Sequence, residues 1–64
     1  MTSPAPTPWE IRVTRTALGW TIDRMARHFG IHARSVAAWE AGESVPSQER
    51  REQIRELMEQ VGND

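Results

Sequence analysis

The chain has no cysteine, no tyrosine and no lysine among its 64 residues. Without cysteine, neither a disulfide nor a thiolate metal site can stabilise it. His28 and His32 stand four apart, and no third histidine exists to complete a metal site, so no metal and no cofactor is expected. There is no apolar run near the roughly 20 residues that cross a bilayer. The opening Met1–Pro8 also lacks the basic and apolar regions of a signal peptide, and the expectation is a soluble cytoplasmic protein with no membrane partner. Enzyme chemistry lacks its usual parts: there is no glycine-rich phosphate loop and no carboxylate pair in an apolar setting.

What is present fits one small domain. A chain of this length buries only about 60% of its unfolded surface, so its core must be used economically. The near-neutral total hides an asymmetry. Residues 1–39 carry five arginines against Glu10 and Asp23, a net +3, whereas residues 40–64 carry three arginines against seven acids, a net −4. A nucleic-acid contact would therefore favour the first part and avoid the second.

Helix signals recur along the chain. Residues 1–6, rich in proline and serine and without apolar periodicity, are expected to form a disordered arm. Thr7-Pro8-Trp9-Glu10 combines a threonine cap, proline at the first helical position and glutamate three residues after the cap, which opens a helix over 8–18. Ile11, Thr14 and Leu18 share one face of it, and Gly19 supplies a left-handed stop. Thr21 caps a second helix, 22–29, with Asp23 in its first turn and Ile22, Met25, Ala26 and Phe29 on one face before Gly30. A third helix is expected over 33–41, with Val36 and Trp39 inward, the alanines and Arg34 outward, and Gly42 at its end. Ser47 then caps a fourth helix, 47–61, whose Ile54, Leu57, Met58 and Val61 keep helical spacing. Four helices, no strand and short connections describe a compact all-α domain.

The joint spacing of Arg15, Leu18-Gly19-Trp20-Thr21, Met25-Ala26, Phe29-Gly30-Ile31, Ser35-Val36, Trp39-Glu40, Gly42 and Pro46 is more specific than any one element. The stretch 11–47 resembles the helix-turn-helix domain of the Cro and phage-repressor family, the lambda-repressor-like or XRE type shared by many bacterial regulators and antitoxins. The resemblance implies that helix 33–41 enters the major groove of duplex DNA. It places Arg34, Ala33, Ala37, Ala38 and His32 at bases, and Thr21, Ile22, Ser35, Ser44 and Ser47 at phosphates. The alanines either admit the helix deep into the groove, against thymine methyl groups, or serve only as good helix formers. Arg15 and Glu40 match a pair that forms an internal salt bridge in the family.

The implied function is that of a small transcriptional regulator, most often an autorepressor, acting as a homodimer on a palindromic operator. Met58 and Val61, together with Trp9, are the expected dimer contacts. Three departures weaken non-specific binding: Ile22 replaces a frequent glutamine, the loop Glu43-Ser44-Val45 has no base, and the last helix is acidic. They also keep open a second reading from the same fold, an antitoxin or adaptor that holds a protein partner such as a toxin.

Overall fold

A computed structural model of the chain describes residues 5–62. Its helices are α1 (Pro8–Ala17), α2 (Ile22–Phe29), α3 (Ala33–Ala41) and α4 (Gln48–Gly62), and the described residues contain no strand. Local chemistry sets each start. Thr7 Oγ1 accepts from the Glu10 N–H at 3.1 Å while Glu10 Oε1 accepts from the Thr7 N–H at 2.8 Å, a reciprocal capping box that satisfies two otherwise orphaned donors. Thr21 Oγ1 accepts from the Arg24 N–H at 3.1 Å and so opens α2. Ser47 Oγ accepts from Arg50 N–H at a longer 3.4 Å.

The helix ends follow one pattern. At the end of α2, Ile31 N–H donates to Ala26 O at 3.0 Å and Gly30 N–H to Arg27 O at 3.2 Å, the paired bonds of a Schellman motif. That motif needs a left-handed residue between helix and exit, and Gly30 takes it at φ +70°. The ends of α1 and α3 close with the same bond pairs, from Trp20 and Gly19 in one and from Glu43 and Gly42 in the other.

Three boundaries differ by a residue from those expected. Leu18 is the C-cap of α1 and not its last turn, and Ser47 stands outside α4 because a capping residue holds extended backbone. Gly62, with no positive φ, lies within α4 instead of ending it. Of the expected disordered arm, residues 1–4 lie outside the described residues. Ala5 is exposed, but Pro6 is buried and lines a recess of about 150 Å³ with Pro8, Trp39 and Pro46. Pro6 is thus docked, because the rings of Pro8 and Pro46 and the indole of Trp39 offer it apolar surface.

The core joins all four helices. Ile11, Met25, Ala26, Phe29, Val36, Trp39, Ile54 and Leu57 are buried together, and Ile54, Met25 and Val36 are fully excluded from solvent. Phe29 meets Trp39 edge-on, with ring centroids 6.1 Å apart at 61°. Among the described residues the one buried polar side chain, Thr14, donates its hydroxyl to Glu10 O at 2.8 Å, so its burial leaves no unmet hydrogen bond. In this arrangement α3 packs against α2 and α1, while α4 packs against α1. One long side of α3 is thereby left uncovered.

Candidate nucleic-acid interface

α3 carries its apolar anchors on one side and its polar or small residues on the other. Val36 and Trp39 are buried, whereas Arg34, Ala37 and Ala41 are exposed and Ala38 is half-buried. The spacing i, i+3, i+4, i+7 aligns Arg34, Ala37, Ala38 and Ala41 in one outward stripe. Ala33 differs from this group. It is half-buried and packs against the core, because it precedes Val36 by three residues on the inward side.

The first turn of α3 is open. His32 is its N-cap, in extended conformation at φ −75° and ψ 144°, and makes no capping hydrogen bond through its side chain. His32, Ala33, Arg34 and Ser35 line a recess of about 410 Å³ at this end. Ser35 N–H is satisfied locally by His32 O at 3.0 Å. The positive end of the helix dipole and the exposed Arg34 guanidinium, with no acidic residue in the first turn, make this recess attractive to anions. Arginine also offers a planar fork of donors that matches the O6 and N7 acceptors of guanine.

Residues expected at phosphates fall into two groups. Thr21, Ser44 and Ser47 are exposed, each at the edge of a helix or loop, and Thr21 keeps a hydroxyl proton to donate while its oxygen caps α2. Ile22 and Ser35 are half-buried, and Ile22 packs its side chain against the core, so what it presents outward is its N–H in the first turn of α2. An acidic surface lies elsewhere. Glu49, Glu52, Glu56 and Glu59 are exposed on α4, the helix that packs on α1.

The orientation of α3 is tied to the rest by Arg15. Its Nε donates to Glu40 Oε2 at 2.6 Å, its Nη2 to Glu40 Oε1 at 3.0 Å and its Nη1 to Trp20 O at 2.9 Å. One guanidinium therefore joins α1, the α1–α2 turn and the end of α3. Hydrogen bonding to Glu40 raises the pKa of Arg15 above its ordinary high value, partly opposed by burial. The Trp20 carbonyl is a partner that residue spacing does not disclose. A residue followed by a capping threonine carries no signal of where its carbonyl points. The Trp20 ring in turn carries Arg24 at 5.2 Å from its centroid and His28 at 5.0 Å. His28 also packs on Phe29, and among the described residues no group of three His, Asp or Glu could hold a metal ion.

The remaining expected contacts lie apart from α3. Trp9 is 69% exposed and, with Val13, Met58, Val61 and Gly62, borders a groove between α1 and α4. Among the described residues no helix is long and apolar enough to cross a membrane.

The sequence profile of a family described as helix-turn-helix matches residues 11–58. Comparison with curated proteins and with solved structures returned no match. The match spans all four helices, from Ile11 in the core of α1 to Met58 in α4, and takes in the buried set and the outward stripe of α3 alike. The chain belongs to the helix-turn-helix family of the lambda-repressor and Cro type, a family of DNA-binding regulators.

Proposed function

We propose that the chain is a sequence-specific transcriptional regulator, a repressor that binds as two copies to a palindromic duplex site with α3 in the major groove. The observation that carries this reading is the split of α3, with Val36 and Trp39 buried in the body and Arg34, Ala37 and Ala41 exposed on the other side. A major groove about 12 Å wide admits a helix presented in this way. Arg34 supplies the bidentate donor for a guanine, and the methyl groups of Ala37, Ala38 and Ala41 permit close approach and contact with thymine methyls. Thr21, Ser44, Ser47 and the first-turn N–H groups of α2 hold the backbone phosphates. Because α3 and the loop after it bring few cations, affinity depends less steeply on salt than in a basic regulator.

Selection of bound sequences from a random duplex pool tests the reading. Enrichment of a two-fold symmetric site, with a guanine in each half that is lost from the consensus of Arg34→Ala, supports it. Failure to enrich any sequence, with no salt-sensitive binding to genomic fragments, overturns it. The protein-partner reading, an antitoxin or adaptor on the same fold, would then draw on the acidic α4 surface and Glu43, which stands where a base would serve DNA.

A further inference from the structure

α4 packs on α1, and between α4 and the C-terminal end of α2 lies a recess of about 290 Å³. Its two walls differ in chemistry. On one side stand three aromatic rings, Trp20, His28 and Phe29, with centroids 5.0 Å apart at 43° for the first pair and 5.2 Å apart at 69° for the second. Rings tilted in this way do not cover one another's faces, so part of their π surface is left to face the recess. On the other side α4 contributes the buried Leu57 and, around it, Gln53, Glu56 and Gln60. We propose that this recess binds a small aromatic cation, a flat ring bearing an amidinium or ammonium group, with the ring against Trp20 and His28 and the charge at the Glu56 carboxylate.

Glu56 fixes the sign of the charge. It is exposed, and its neighbours at helical spacing on α4 are Glu52, Gln53, Glu59 and Gln60, none of them a cation. Among the described residues no ion pair joins it to Arg24 or His28 on the facing helix, so its carboxylate has a counter-charge to gain. The aromatic wall favours the same sign. The electron-rich face of an indole attracts cations, and the Trp20 ring already carries the Arg24 guanidinium at 5.2 Å from its centroid, although Arg24 does not line the recess. Gln60, one turn beyond Glu56 and without a hydrogen bond of its own, offers an amide oxygen as a second acceptor for the N–H groups of the ligand. The volume sets the size: about 290 Å³ stands at the small end of the roughly 300–1,000 Å³ of ligand pockets, room for one ring and a short polar group and not for a helix or strand of a partner. No residue of the recess belongs to the outward stripe of α3 or to the groups proposed at phosphates, so the site stands apart from the proposed DNA-reading face.

Titration of the full chain with benzamidine at neutral pH, followed by two-dimensional proton–nitrogen NMR, tests this without DNA. The shifts should saturate and centre on the Trp20 indole N–H and the side-chain amides of Gln53 and Gln60. Benzamide, which is flat but neutral, and N-acetylargininamide, which is cationic but has no ring, should each bind about tenfold more weakly or worse. Glu56→Gln should weaken benzamidine by about tenfold and leave benzamide unchanged. Glu59→Gln removes the same charge from α4 outside the recess and should change the affinity by less than about twofold. Both variants replace exposed side chains, so the fold is retained. Shifts that rise without saturating, or that follow the acidic residues of α4 instead of the recess, overturn the proposal. So does a loss as large for Glu59→Gln as for Glu56→Gln, and so does either control ligand binding as tightly as benzamidine.

Discussion

Arg15 grips both carboxylate oxygens of Glu40 across 25 positions of sequence, with Nε 2.6 Å from Oε2 and Nη2 3.0 Å from Oε1. The side chains are 14% and 10% exposed, so the pair is screened far less than a surface bridge. Two parallel bonds fix direction as well as distance, and the third donor of Arg15 holds the Trp20 carbonyl just ahead of the α2 cap. The contact therefore sets α3 relative to both α1 and the start of α2.

Glu40→Ala strands that guanidinium and should cost about 2 to 3 kcal/mol. For a domain of this size the loss corresponds to a Tm lower by roughly 8 to 24 °C. Thermal melting followed by circular dichroism checks this, and a Tm within a few degrees of wild type would show that the bridge contributes little. Because folding raises the Arg15 pKa, the stability it brings is complete below the ordinary arginine value and is lost only as pH rises through the higher folded value. Arg15 should therefore add no slope to stability between neutral pH and about pH 10.

Gly30→Ala should cost roughly 1 to 2 kcal/mol through backbone strain alone. The φ of +70° disfavours any Cβ, yet none of the neighbouring atoms lies within 4 Å of one placed there. Gly30→Asn should recover part of the loss, since asparagine tolerates the left-handed region better. Urea unfolding of both variants separates strain from steric conflict. Equal losses for the two would contradict the assignment to backbone conformation.

Ile54→Ala should cost about 2 to 5 kcal/mol and Ile54→Val about 1, because the side chain is fully buried beneath α4. Total stability for a chain of this length is of order 3 to 10 kcal/mol, so the alanine variant should lose about half of it and melt well below the valine variant. Hydrogen exchange reads the difference. Protection surviving in α1 of the alanine variant would show that α4 is dispensable for the core.

Much of the fold was legible because its signals are local. The Thr7–Glu10 box, the Thr21 cap and the glycine exits each act within four or five residues, and helical spacing of Met25, Ala26 and Phe29 identified a buried face. What escaped depends on contacts between distant segments. Pro6 is buried because Pro46 and Trp39 lie beside it, which periodicity in a short segment cannot express, whereas the inward side of Ala33 follows from its spacing to Val36 and was overlooked. The Arg15–Glu40 pair came from resemblance and not from spacing, since no rule of helix geometry links residues 25 apart. For the interface the limit is chemical. Alanine on a helix serves propensity and groove contact equally well, so only Arg34 makes a statement about bases that its residue type can support.

The most direct measurement is the affinity of wild type and Arg34→Ala for a panel of single-base variants of a selected site at two salt concentrations. Base readout by Arg34 predicts a loss of about 1 to 3 kcal/mol on the best site and a flattened preference at one base pair per half-site. The salt slope should stay nearly unchanged. A uniform loss across the panel, with the slope reduced by about one contact per half-site, would contradict base readout by Arg34. No loss on any sequence would contradict the placement of α3 in the groove.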